Sequence, residues 1–108
     1  MLNLCVITGN LGQNPVKSFS TEGNSVTNFN LAFKSGKDKT SWIRVSCFSK
    51  LAETAEKYLH KGAKITVIGA LSEEKWDKNG ETKSSFRLIA STIEFLKVNN
   101  LESEDTRG

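Results

Sequence analysis

Cysteine and histidine are scarce: Cys5, Cys47 and His60 are the only ones in 108 residues. Two thiols, each set among β-type apolar residues, make no disulfide framework; reduced, buried thiols in a cytosolic protein are expected, and the localisation read from them is cytoplasmic. Neither cysteine stands at a zinc-ligand spacing from another Cys or His, so no metal site is expected. No apolar run approaches the roughly 18 residues that a membrane span needs. Residues 1–10 alternate like a strand, without the basic lead or small-residue cleavage site of a signal peptide. Gly9–Gly12 (G-N-L-G) lacks the pattern of a phosphate-cradling loop and reads as a turn. Carboxylates are scattered, with no paired acid and base and no activated nucleophile, so no catalytic residue, no cofactor and no enzymatic activity are expected.

What is present is ordinary in amount and uneven in placement. At 37% hydrophobic and 25% charged residues, the chain reads as one globular domain with a core of its own. The net charge is +3, but Glu102, Glu104 and Asp105 crowd the last ten residues against Arg107. The division expected is a folded domain over 1–98 and a short, acidic, disordered tail over 99–108. Residues 1–98 hold 14 basic and 9 acidic side chains, a modest excess suited to a phosphate partner.

Residues 2–9 read as a strand closing at the turn formers between Gly9 and Pro15, and Val16–Ser20 as its short continuation after a bend. Residues 25–34 follow, with Phe29, Leu31 and Phe33 alternating. A polar hairpin tip, 35–39, leads into the strand of Trp42 and Phe48. The period then changes: Leu51, Ala55, Tyr58 and Leu59 mark one stripe of a helix over 50–61, with Ser49 as N-cap and Gly62 past its end. Ile65 and Val67 open a fourth strand, and a long hairpin turns at Asn79-Gly80. The fifth strand, about 84–98, shifts phase between Leu88 and Ile93, which predicts a bulge.

Three strands, a helix and two strands is the order of the OB-fold. The fold class read from the sequence is therefore all-β: a five-stranded Greek-key OB-fold barrel, one helix between the third and fourth strands, and a long hairpin joining the fourth and fifth. Fold alone does not fix function, so the ligand must be read from side chains.

Strand alternation projects Trp42, Arg44, Ser46 and Phe48 from one surface while Ile43, Val45 and Cys47 face the core. Large rings beside a cation on the wet side of a sheet suit an unpaired nucleic-acid strand, whose bases stack on rings and whose phosphates meet cations. Packing of either ring against a second subunit is the competing explanation. Lys50 follows two residues after Phe48. Trp76 stands in the long hairpin between Lys75 and Asp77-Lys78, and Lys83 and Arg87 continue the basic side of the returning strand. Glu73 and Glu74 precede Trp76 and oppose a phosphate there. Lys17 is a weaker candidate on the second short strand.

Taken together, Thr8–Pro15, Asn28–Ala32, Trp42–Val45, Phe48–Ala52, Tyr58–Gly62, Lys75-Trp76 and the Gly80 hairpin resemble the bacterial single-stranded DNA-binding proteins, in order and with compatible spacing over roughly residues 3–96. The resemblance implies a homotetramer of OB-folds that wraps single-stranded DNA without sequence preference and serves replication, recombination and repair in the bacterial nucleoid. It places Trp42, Phe48 and Trp76 on stacking positions and Arg44, Lys50, Lys61 and Lys75 on basic contact positions. Three departures stand out. The hairpin before Trp42 is short and lacks a tryptophan common in the family; either Phe33 is a partial replacement or one stacking site is lost. Ile43 stands where a histidine used in subunit contacts is common. The Gly/Pro/Gln-rich linker and acidic tip closing in Ile-Pro-Phe, which hook partner proteins, do not occur up to Gly108. Recruitment of replication and repair partners is left open by that last departure. Two other readings share the fold: a primosomal-type adaptor dimer that binds single strands weakly and docks replication proteins, and a cold-shock-like RNA binder.

Overall fold

The computed structural model describes residues 1–97; the acidic segment 99–108 lies outside the described residues. Seven elements follow one another: β1 (Cys5–Leu11), β2 (Val16–Phe19), β3 (Ser25–Gly36), β4 (Lys39–Phe48), α1 (Ser49–Tyr58), β5 (Lys64–Lys78) and β6 (Glu81–Lys97). β1 pairs antiparallel with β5 through Cys5–Asn10, and its last two residues cross to β3 (Asn10 opposite Ala32, Leu11 opposite Leu31). β2 then continues along β3. β1 and β2 thus behave as the one bent strand expected from the Gly9–Pro15 cluster. With β5–β6, β6–β4 and β4–β3 paired, the sheet closes on itself through β1–β3, as an OB-type barrel requires. The β4–β6 pair is parallel and short, Arg44–Ser46 against Arg87–Ile89.

Where β1 crosses β3, and where β5 turns with β6, backbones approach closely. A Cβ on Gly9 would strike the Ala32 carbonyl oxygen, and one on Gly69 the Ile89 carbonyl oxygen. The phase shift in β6 is a bulge at Ser91: Ile68 faces Thr92 but Gly69 faces Ala90. Ser91 Oγ donates to the Ile68 carbonyl at 2.9 Å. The β5–β6 hairpin turns through Asn79 and Gly80, both at positive φ (53° and 79°), as a two-residue type I′ turn demands. Beyond Arg87 no third strand joins it among the described residues, so its distal part is a two-stranded arm.

The core draws Phe29 and Leu31 from β3, Val45 and Cys47 from β4, Ile65 and Val67 from β5, and Leu88 from β6. The α1 helix packs chiefly on β3 and β4, and Thr27 Oγ1 donates to the Ala52 carbonyl at 2.7 Å beneath it. Its details differ from the sequence expectation. The helix ends at Tyr58, three residues early, and its buried stripe is Ala52, Ala55 and then Leu59, while Tyr58 stays exposed with its ring edge-on to Phe95. Ser49 is not a cap: it lies inside the first turn at φ 56°, Phe48 holds the N-cap position, and no side chain bonds the free N–H groups. Gly62 does adopt positive φ (90°), but in a separate turn closed by Ala63 N–H to the His60 carbonyl at 3.0 Å. His60 and Lys61 therefore lie in that turn and not on the helix.

Candidate nucleic-acid interface

Alternation along β4 carries out the division read from the sequence, with one exception. Trp42 is 60% exposed, Phe48 is 37% exposed and Arg44 is exposed, while Val45 and Cys47 are sealed in the core. The exception is Ser46, which shares the outer pleat yet is fully buried. Its hydroxyl donates to Asn28 Oδ1 at 2.6 Å and accepts from Arg87 Nη1 at 3.1 Å. The guanidinium from the parallel neighbour β6 thus lies over it. Ser46 anchors Arg87 instead of meeting a ligand.

Trp42 has a seat. A Cβ on Gly12 would fall 2.7 Å from its Cη2 and closer still to Cζ3. The bare glycine in the β1–β2 connection lets the indole lie against that backbone while its other side stays open. Across β3, Ala32, Asn30, Asn28 and Val26 stand opposite Trp42, Arg44, Ser46 and Phe48 and so share their face. Between β3 and the β1–β2 connection lies a groove of about 320 Å³, walled by Gln13, Asn14, Asn28, Asn30 and Arg44. Asn14 Oδ1 accepts the Lys61 backbone N–H at 2.8 Å, which ties the Lys61 turn to this wall. The carboxamides were not among the residues singled out from the sequence. The even spacing of Asn28 and Asn30, once paired to β4, is the signal that finds them.

The face continues onto the hairpin. Ser72 stands opposite Arg87 and Trp76 opposite Lys83, so alternation keeps Arg87, Lys83 and Trp76 on one side. Trp76 is 47% exposed. Arg87 carries a carboxylate neighbour: its Nε lies 3.6 Å from Glu74 Oε2 and, although buried, makes no hydrogen bond. Lys83 approaches Glu81 at 3.9 Å. Among the described residues no carboxylate lies within ion-pairing range of Arg44, Lys50 or Lys61. Lys50 is exposed at the start of α1, just past Phe48.

Residues 2–96 match the model of the single-strand binding protein family. The chain belongs to that family. Among solved structures it is similar to the Plasmodium falciparum SSB in complex with ssDNA, at 28% identity and a TM-score of 0.81, covering 90% of this chain and 96% of that one.

In this member of the single-strand binding family, three of the residues singled out from the sequence stand apart from the Trp42 face. Lys17 is one step out of phase with Val16; it reaches Glu56 on α1 at 3.9 Å and lies 5.6 Å from the Phe19 ring centre. Lys75 sits on the hairpin face away from Trp76, 3.9 Å from Glu73. Phe33 stands opposite Ser41, out of phase with Trp42, and lines a different groove. Among the described residues no three His, Cys, Asp or Glu side chains gather. Burial pushes the Cys47 thiol up to about 12, which makes it inert as a nucleophile.

Proposed function

We propose that this protein binds single-stranded DNA without sequence preference and coats it, without catalysing any reaction. The observation that carries this reading is the Trp42 indole, seated on Gly12 and open to solvent, with Arg44 next on the same face of β4, Arg87 across from Arg44, and Phe48 and Trp76 further along the same side. Family membership and a relative solved with ssDNA support it. Each ring offers a stacking platform worth about 1–3 kcal/mol per base, indifferent to which base lies on it. Arg44, Lys50, Lys61 and Lys83 hold phosphates, so log affinity falls with log salt by about 0.7 per phosphate neutralised, or about 3 in all.

The coated strand is kept unpaired for replication, recombination and repair, in the cytoplasm of a bacterial cell, and the working unit is a homotetramer. Self-association is favoured by the β1 side of the barrel, where Leu2, Leu4 and Val6 are all exposed, an apolar strip that a second copy would cover. A primosomal-type dimer would use the same strip. Oligo-dT is titrated while tryptophan emission and solution mass are recorded. Quenching at saturation with a tetramer mass is expected. Unchanged emission with no change in mass refutes the DNA reading, and a dimer mass refutes the tetramer.

A further inference from the structure

Arg44 on β4 and Arg87 on β6 stand directly across from each other in the parallel pair, on strands about 4.8 Å apart. Like charges placed opposite one another weaken a sheet. The structure draws Arg87 aside. Its Nη1 reaches the Ser46 hydroxyl at 3.1 Å, two residues along β4 from Arg44. Its Nε turns towards Glu74 of β5 at 3.6 Å.

Chemistry fixes each proton in this chain of contacts. Arginine has no acceptor, so Ser46 receives the Arg87 bond through a lone pair and gives its own proton elsewhere. That proton goes to Asn28 Oδ1 at 2.6 Å. Asn28 is thereby held with its oxygen on Ser46 and its NH2 turned the other way, while it also walls the groove that Arg44 lines. Ser46 is sealed from solvent, so water replaces neither partner. One edge of the guanidinium is left over. Arg87 Nε is buried and makes no hydrogen bond, because Glu74 covers it from too far away to accept. A buried donor without an acceptor calls for a cause. A guanidinium edge suits the oxygens of an anion, and Glu74, partly exposed on the two-stranded arm, is free to make way for one.

We propose that Ser46 and Asn28 are positioning residues for strand binding: they hold Arg87 ready for the phosphate next to the one on Arg44, and Glu74 fills that place until a strand displaces it. This rests on the single-strand reading above and adds Arg87 to the phosphate contacts named there. Without the Ser46 hydroxyl the balance changes. Glu74 is the only carboxylate within ion-pairing range of Arg87 among the described residues, and it would then hold the guanidinium unopposed. The strand loses a cation although no charge has been removed from the protein. A neutral-for-neutral substitution at a buried position therefore changes the salt dependence of binding, which loss of packing alone does not do.

The test is the slope of log affinity for oligo-dT on log salt, with urea midpoints recorded beside it. Ser46→Ala lowers the slope by about 0.7, one phosphate, and the affinity about fivefold. Ser46→Thr keeps the hydroxyl and the wild-type slope. Arg87→Gln shows the same loss as Ser46→Ala, and combining the two adds nothing further. Adding Glu74→Gln to Ser46→Ala frees Arg87 and restores the slope. Thr27→Val is the structural control: it removes another buried hydroxyl, bonded to the Ala52 carbonyl on the core side of β3, and lowers the urea midpoint with the slope unchanged. Should Ser46→Ala not fold, Ser46→Cys, close in volume and far weaker in hydrogen bonding, takes its place with the same slope expected. A wild-type slope in the Ser46 variant, an equal loss in Thr27→Val, or a Ser46 effect undiminished beside Arg87→Gln overturns the positioning role while leaving the Trp42 face intact. Failure of the wild type to bind oligo-dT at low salt overturns the single-strand reading itself.

Discussion

Replacing Gly12 by alanine tests whether the seat of Trp42, and not merely its presence, creates the binding surface. The added methyl would lie 2.7 Å from Cη2 and closer to Cζ3, well inside van der Waals contact, so the indole must move. Nothing else need change. Gly12 is not among the positive-φ glycines, and its N–H to the Asn30 carbonyl (3.1 Å) survives the substitution. Because the ring is 60% exposed, it can swing outward into solvent. A rotamer pushed about 30° off its well costs about 0.5–1.5 kcal/mol, and that bounds the loss of folding stability. Binding should suffer more. A ring no longer braced from behind loses most of its share of the about 1–3 kcal/mol stacking energy, so affinity for oligo-dT falls about tenfold. Urea unfolding measures the first quantity and fluorescence anisotropy of a labelled oligomer the second. Combining G12A with Trp42→Ala then isolates the mechanism: if Gly12 acts only through the indole, G12A has no further effect once Trp42 is gone, and the two losses are strongly non-additive. Additive losses, or wild-type affinity in the single variant, refute the seating argument. Gly69→Ala supplies the contrast. There the methyl meets the Ile89 carbonyl oxygen, backbone that cannot swing aside, and the variant should lose more than about 3 kcal/mol of stability.

Two further outcomes follow from charge and burial. Glu74 competes with phosphate for Arg87 (3.6 Å), and a partly exposed pair of this kind is worth only about 0–1 kcal/mol. Glu74→Gln should therefore tighten oligo-dT binding about two- to fivefold more than Glu73→Gln, which removes the same charge from the opposite hairpin face beside Lys75; equal effects in anisotropy titrations would show that only net charge matters. For Cys47, the folded thiol titrates near 12 against 9.0 when free, so above about pH 9 the unfolded chain loses a proton that the folded one keeps. Stability then falls as pH rises from about 9 towards 12, at up to about 1.4 kcal/mol per unit, and is unaffected by this group below 9; Cys47→Ala should lower the urea midpoint by a constant amount below pH 9, for the lost core packing, and that gap from wild type should shrink only in the alkaline range.

Local periodicity made most of the barrel legible. The strand of Trp42, the bend after Gly9, the Asn79-Gly80 turn and the bulge near Ser91 each follow from side-chain alternation or turn chemistry over a few residues. The helix was legible in position but not in its details, because the sheet below selects Ala52 and Ala55 for burial and the first turn already begins at Ser49, with Phe48 at the N-cap. The candidate site divides along the same line. Alternation predicts that Trp42, Arg44 and Phe48 share a face, and it also separates Lys75 from Trp76, which nearness in sequence had grouped together.

What alternation cannot supply is the neighbour across a gap in sequence. Ser46 points outward as its position requires, yet a guanidinium 41 residues away covers it, through a parallel pairing only three residues long. Gly12 comes against the Trp42 indole only when the β1–β2 connection is laid against β4. In each case the missing information is a contact between elements, which no window of a few residues contains. The aromatic rings were therefore readable as candidates before the fold was known. The features that would decide how firmly each one holds a base (a glycine seat, a tethered arginine, a competing carboxylate) belong to the closure of the barrel.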